Sequence, residues 1–265
     1  MGSATREALS ASRAALAALG GKTDLATGEQ LLAAGRVIGE SSPLRAALAD
    51  PSTAAADKTS IVTSVFSSVS PVARDLLSTV VTHRWSSEDD LLAGIEEIGF
   101  RVVADSLPAK SATIESELFT FGEAVNSDPE LELAVSSKLG SNADKLALVE
   151  KLLGSKASKQ TVAIAGQLVQ QPRGRRIAEL LRNAASIVAD QAGLSVATVT
   201  TASTLDAAQL KRLSTGLATT YGRELRINQI VDPTLLGGVR VQIGDDVIDG
   251  SVASRLKELR LQLAG

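Results

Sequence analysis

Apolar positions recur at helical spacing through most of the chain and switch to alternation near its end. Residues 5–19 are Ala-rich, and Asp24-Leu25-Ala26 leads into a helix carrying Leu31, Leu32, Val37 and Ile38. Ser41-Ser42-Pro43 breaks it, and Pro43 suits the first turn of a short helix over 44–48. Asp50-Pro51-Ser52 precedes a helix over 54–66, and Ser70-Pro71 one over 72–81. After the polar stretch 82–87, a longer helix runs from Asp89 towards Ala104, its acidic start Glu88-Asp89-Asp90 complementing the positive helix N-terminus.

The pattern then repeats. Ala56-Asp57-Lys58 recurs as Ala143-Asp144-Lys145, an offset of 143 − 56 = 87. At that offset Leu32 meets Phe119, Leu44 meets Leu131, Leu48 meets Val135, Ile61 meets Leu148, Val62 meets Val149, Phe66 meets Leu153 and Val81 meets Leu168. The order of helices and breaks recurs as well, so the spacing predicts duplication of a helical unit too long for one solenoid repeat and suited to a small bundle. The leading helix has no evident counterpart in the second copy. Each copy carries its own aliphatic set, which predicts that each closes its own core on either side of the junction Leu107-Pro108-Ala109-Lys110.

From Leu194 the period changes. Residues 195–201 alternate apolar and hydroxyl side chains as a strand does, and Thr204 or Asp206 caps a helix with Ala207, Leu210, Leu213 and Leu217 on one face. Gly222 stops it before a second strand over 225–231. Val239, Val241 and Ile243 alternate with Arg240 and Gln242, opened by Gly237-Gly238 and ended by the turn residues Gly244-Asp245. Val247-Ile248 is an apolar return, and Asp249 or Ser251 caps a last helix with Val252, Leu256, Leu259 and Leu263 on one stripe. The expected fold is mainly α with a small α+β domain. Two tandem helical bundles, 1–107 and 108–193, precede a C-terminal domain over 194–265, a small sheet faced by helices.

Composition narrows the function. The chain of 265 residues is 44% hydrophobic but only 2% aromatic, so aliphatic side chains fill closely packed cores. Lys+Arg 27 against Asp+Glu 30 gives −3, which argues against a nucleic-acid partner. The absence of cysteine removes disulfides, thiolate metal sites and a cysteine nucleophile. No apolar run approaches the ~20 residues of a membrane-spanning helix, and the start MGSATREALSASR lacks the apolar region of a secretory signal.

Candidate chemistry is thin. His83, the one histidine, stands at a helix end and reads as structural, with no G-x-S-x-G around any serine. An EF-hand loop starting at Asp245 would need Glu where Leu256 stands, so Asp245, Asp246 and Asp249 read as turn and cap residues. Gly154-Ser155-Lys156 is only a fragment of a phosphate loop. No catalytic, cofactor or metal residue is expected. The basic cluster Arg173, Arg175 and Arg176, followed by Arg182, has two open readings. It meets an acidic partner or anionic lipid, or it is a solvated loop whose arginines pair locally with Glu179.

The C-terminal residues carry a family resemblance. Asp232, Leu235, Gly237, Gly238, Val241, Ile243, Gly244, Asp245, Val247, Asp249, Gly250, Ser251, Val252, Arg255, Leu256 and Leu259 match, in one register, the signature of the delta subunit of F-type ATP synthases, related to the mitochondrial oligomycin-sensitivity-conferring protein. A weaker match, Ser12 to Leu19, is similar to that family's first helix, which makes Arg13, Leu16 and Leu19 candidate partner-binding residues. The resemblance implies a non-catalytic peripheral-stalk subunit at the cytoplasmic face of the cell membrane, attached only through the complex. Its helical domain would grip N-terminal helices of alpha subunits, and its C-terminal domain the b-type stalk. One helical domain is the family's pattern, so the second copy is a departure. The alternative is a freestanding helical adaptor unrelated to ATP synthase.

Overall fold

The computed structural model describes residues 2–137, 140–194, 196–222, 225–243 and 246–256. They form two compact units, divided after Ala192.

The first unit is all helical: α1 Ser3–Ala18, α2 Leu25–Glu40, α3 Ser42–Ala49, α4 Ala55–Val65, α5 Pro71–Thr82, α6 Glu88–Asp105, α7 Ser111–Ser127, α8 Pro129–Ser136, α9 Asn142–Leu153, α10 Lys159–Gln170 and α11 Ile177–Gln191. A 3-10 turn, Pro108–Lys110, leads into α7. Small polar residues set the starts, their side chains accepting from free N–H groups of the first turn. Asp24, Ser41, Ser70 and Ser87 do so in the first copy, and Asp128, Ser141 and Ser158 in the second.

The repeat holds element by element. Shifted by 87 residues, Thr27, Gly28, Leu31, Ala34, Gly35 and Ile38, buried on α2, fall on Ile114, Glu115, Leu118, Phe121, Gly122 and Val125 of α7, all buried, while buried Leu32 falls on half-buried Phe119. Leu48 and Val135 are the buried residues of α3 and α8, and Lys58 with Val62 on α4 match Lys145 with Val149 on α9. The register then moves by one. Pro71–Thr82 corresponds to Lys159–Gln170, so Val81 matches Val169, rather than the Leu168 expected from a constant offset, and Val80 matches Leu168. Helix α9, with 12 residues, is one residue longer than α4, with 11, while the turns that follow them are equal in length.

The leading helix does have a counterpart. Shifted by 87, the buried positions Thr5, Ala8, Leu9, Ser12 and Leu16 of α1 fall on Leu92, Ile95, Glu96, Gly99 and Val103 of α6, all buried. α1 packs on α5 and α6, and α6 packs in the same way on α10 and α11. Helix α6 is therefore the last helix of the first copy and stands in the place of a first helix for the second. A helix serving two bundles must be apolar on most of its circumference, and residues 94–104 of α6 are buried without interruption.

The expectation that each copy closes its own core is corrected by the same helix. One apolar cluster gathers Leu9, Leu16, Leu31, Ile38, Leu48, Val62, Leu77, Leu91, Ile95 and Ile98 with their neighbours. The other gathers Ile114, Leu118, Val135, Val149, Ile164, Leu168, Leu181 and Val188, and is completed by Leu32, Phe100, Val103 and Ala104 from the first copy. Helices α2 and α6 meet closely. A Cβ at Gly99 would lie 2.5 Å from Leu32 Cδ2, and one at Gly28 would lie 2.5 Å from Val103 Cγ2.

The second unit is α+β. β1 Val196–Thr201, α12 Ala207–Tyr221 and β2 Arg226–Val231 form a β-α-β unit, and β3 Val239–Ile243 and β4 Asp246–Asp249 follow. The sheet order is β2-β1-β3-β4, with β1 parallel to β2, and with β1–β3 and β3–β4 antiparallel. Ala197, Val199, Val241 and Ile243 face Leu213 and Leu217 of α12. Asp206 forms a capping box with Gln209 at the start of α12, and Gly222 ends it at φ 66°. Residues 252–256 begin a further helix. Ser195, Gly244, Asp245, Leu259 and Leu263 lie outside the described residues.

Candidate interaction surfaces

The signature residues build a backbone junction. Asp232 accepts from the Thr234 N–H at 2.9 Å and its hydroxyl at 2.6 Å, closing the turn after β2. Gly237 and Gly238 follow at φ 114° and 86°, a region that side chains other than glycine rarely adopt. At Gly238 space is also absent, since a Cβ would lie 2.5 Å from the Gly250 carbonyl oxygen and 2.8 Å from Ser251 Cα. The Gly250 N–H donates to the Val239 carbonyl at 2.9 Å, and the Val252 N–H to the Gly237 carbonyl at 3.1 Å. Asp249 and Ser251 divide the capping between them. Asp249 accepts from the Ser251 N–H at 3.0 Å and from Arg240 at 3.2 Å, while Ser251 Oγ accepts from the Ser254 N–H at 3.2 Å.

Hydrogen bonds from Ser251 hold the Asp249 carboxyl below the usual carboxylate range, and those from Thr234 do the same for Asp232. Arg255 and Leu256 stay exposed, as do Leu236, Val247, Ile248 and Val252. The signature thus fixes a strand–turn–helix corner whose outer surface keeps apolar side chains in water.

The candidate contact residues of the helical unit are engaged within it, Leu16 and Leu19 by packing and the arginines by ion pairs, with Arg13 and Arg176 still exposed. Leu16 is 3% exposed within the first apolar cluster, and Leu19 packs against that cluster half-buried. Arg13 donates to Glu97 on α6 at 2.8 Å. Arg173 and Arg175 both pair with Glu96 on α6, Arg175 at 2.9 Å, and Arg176 pairs with Glu132 on α8 at 3.1 Å. Glu179 is not the partner in any of these pairs. Burial pushes the Arg173 guanidinium down from its ordinary range, while Glu96 opposes the shift. Sequence spacing gave no signal for a pair 77 residues apart.

Other features fall into place as structure. His83 ends α5, and Trp85 beyond it donates to the Val80 carbonyl at 2.9 Å with its ring over Gly94. Gly154 ends α9, whereas a phosphate loop joins a strand to a helix. Among the described residues no group of three His, Asp or Glu side chains is placed to hold a metal, and no helix is long and apolar enough to cross a membrane.

A groove of about 400 Å³ runs between α2 on one side and α9 and α10 on the other. Leu25, Leu32, Leu146 and Val162 line it, with Arg36 and Glu150 among its polar residues. It belongs to neither copy alone.

A helical unit with apolar clusters and a small mixed sheet, with many charged side chains held in ion pairs and caps, is the architecture of a scaffold-type binding protein. The family model for the ATP synthase delta (OSCP) subunit matches residues 106–263. The ATP synthase subunit delta of Leifsonia xyli is 56% identical over 265 residues, covering 100% of both chains. That of Streptomyces avermitilis is 38% identical, covering 98% of each. A chain of the Toxoplasma gondii mitochondrial ATP synthase hexamer is similar at 20% identity and a TM-score of 0.40, over 63% of this chain and 97% of that one. The chain belongs to the ATP synthase delta (OSCP) subunit family.

Proposed function

We propose that the chain acts as the peripheral-stalk subunit of a proton-translocating F-type ATP synthase, a non-catalytic stator that keeps the catalytic head from turning with the central shaft. The observation that carries this is the full-length match, at 56% identity, to an ATP synthase subunit delta. A stator needs durable binding rather than a reactive group, and a nanomolar connection corresponds to about −12 kcal/mol. Amphipathic bundles that accept partner helices supply such binding. A freestanding adaptor is not favoured, since relatives with this name match the chain end to end.

In this reading the helical unit holds N-terminal helices of alpha subunits and the C-terminal unit holds the b-type stalk, at the cytoplasmic face of the membrane. The exposed apolar residues beside the signature corner, Leu236, Val247, Val252 and Leu256, support the second contact. The family match begins at residue 106, so the second copy, 108–193, inherits the family's contact with the head, and the first copy, 1–107, lengthens the unit.

An affinity-tagged chain drawn from detergent-solubilised membranes tests the reading. Alpha and b-type subunits are expected to co-purify with it. Recovery of the tagged chain alone, from membranes whose ATP synthase is otherwise intact, overturns it.

A further inference from the structure

Helix α6 carries charged side chains that a shared core helix does not need. Glu96, Glu97 and Arg101 are 7%, 8% and 3% exposed. Buried charges are costly unless paired and hydrogen-bonded, and here the partners come from both copies. Towards the first copy, Glu97 accepts from Arg13 of α1 at 2.8 Å and from Arg101 at 2.9 Å. Towards the second, Arg101 donates to Asp190 at 2.7 Å and to Gln191 at 3.1 Å, both at the end of α11. Gln191 donates in turn to Asp105 at 2.8 Å. Glu96 holds Arg173 and Arg175, which lie between α10 and α11. Ser106 Oγ accepts from Gln160 at the start of α10, at 3.1 Å.

We propose that this polar row on α6 is an angular lock, which fixes the orientation of the two helical copies so that they turn as one body. The apolar contacts of Leu32, Phe100, Val103 and Ala104 supply adhesion, but an apolar surface tolerates sliding because its attraction is not directional. The polar row is directional. From Glu96 to Ser106 it spans about 15 Å of helix, and its ties reach both ends of the α10–α11 pair. Gln160 and Asp190 lie at the ends of the two helices near Ser106, and Arg173 and Arg175 lie in the connection at the far end. Attachment at both ends blocks rotation as well as separation. A change of angle would take Asp190 and Gln191 from Arg101 and strand Glu96 without a partner inside the protein, the kind of penalty by which buried polar groups select one arrangement. The lock rests on the fold alone. Under the stator reading, it is what lets a two-copy unit carry torque without yielding at its middle.

The full chain contains no cysteine, so Ser64→Cys on α4 and Ala147→Cys on α9, both at exposed positions, take two spin labels cleanly. Pulsed EPR on the purified chain then reads the distance between copies. The lock predicts one narrow distribution for the parent and a shifted, broadened one for Arg101→Met and for the Glu96→Gln, Gln191→Ala double variant. The control Arg45→Met, which breaks the Arg45–Glu88 pair inside the first copy, leaves the distribution unchanged. If Arg101→Met fails to fold, the milder double variant decides alone. A parental distribution in the decisive variant, or equal broadening in the control, overturns the lock. The measurement uses the chain by itself, so its failure is distinct from a failure to co-purify with ATP synthase subunits.

Discussion

Phe100 provides the sharpest test of a helix shared between two cores. It lies on α6, within the first copy by sequence, yet its ring is 2% exposed inside the cluster formed by α7, α10 and α11. Ile98, two residues earlier, is fully buried in the other cluster. Phe100→Ala removes a ring that close-packed neighbours do not refill, a change that costs about 3–5 kcal/mol. For a unit of this size each kcal/mol lowers the melting point by about 2–4 °C, so the expected fall is ~6–20 °C. Ile98→Ala removes a smaller side chain and costs about 2–5 kcal/mol. The two variants should differ in where the damage appears rather than in its size. In native-state hydrogen exchange, Phe100→Ala is expected to lower protection chiefly in α7, α10 and α11, and Ile98→Ala chiefly in α1 to α5. If Phe100→Ala weakens α1 to α5 and leaves the second copy protected as in the parent, α6 does not complete the second core and the shared-helix reasoning fails.

Gly238→Val combines a positive φ, worth about 1–2 kcal/mol by itself, with a Cβ forced against the Gly250 and Ser251 backbone. It should lower the melting point of the C-terminal unit and weaken capture of the b-type stalk, and parental values in both assays would contradict the junction's role. The depressed Asp249 carboxyl favours the folded state above its unfolded pKa, and that contribution is lost as pH falls through its lower folded value. Melting followed downward from pH ~4 should therefore fall more steeply in the parent than in Asp249→Asn, and parallel curves would exclude the effect. The recombinant chain, free of other subunits, is expected to hydrolyse no ATP in a coupled-enzyme assay, and reproducible turnover would overturn the non-catalytic reading.

Local chemistry made much of the fold legible. The helix starts at Asp24, Ser70 and Asp206 follow from side chains that satisfy free N–H groups, and Gly222 from its tolerance of positive φ. Alternation placed β1 and β3, because a half-buried strand imposes a period of two. The relations between copies were not legible. A constant offset hid the added residue in α9, since Val80 and Val81 are alike and either suits Leu168. The counterpart of α1 was hidden for a physical reason. α6 satisfies two sets of neighbours at once, so its residues match neither helix closely, and only burial shows that Leu92, Ile95, Glu96, Gly99 and Val103 stand where Thr5, Ala8, Leu9, Ser12 and Leu16 do. The pairing of Arg173 and Arg175 with Glu96 was not legible because it depends on how distant helices pack, which no local pattern records.

A shared helix also raises the question of why the array stops at two copies. If α6 ends one copy and begins the next, then α11, the corresponding last helix, has the topology to begin a third. Its side chains prevent this. Gly35 packs on Ile95 as Gly122 packs on Leu181, so residues of α6 correspond to those of α11 at an offset of 86, which places Arg182 and Ser186 where α6 buries Glu96 and Phe100. Glu179, Asn183 and Ser186 are all exposed on α11. Burying such a face against another bundle would desolvate polar groups without partners, at about 1–3 kcal/mol for each on mutational scales. Stacked repeats end in this way, with a polar outer surface on the terminal unit. The inner face of α11 remains apolar through Leu180, Leu181, Ala184, Ala185 and Val188. The difference between α6 and α11 is thus confined to the side that would receive a further copy, and it makes the second copy a terminus where the first is a link.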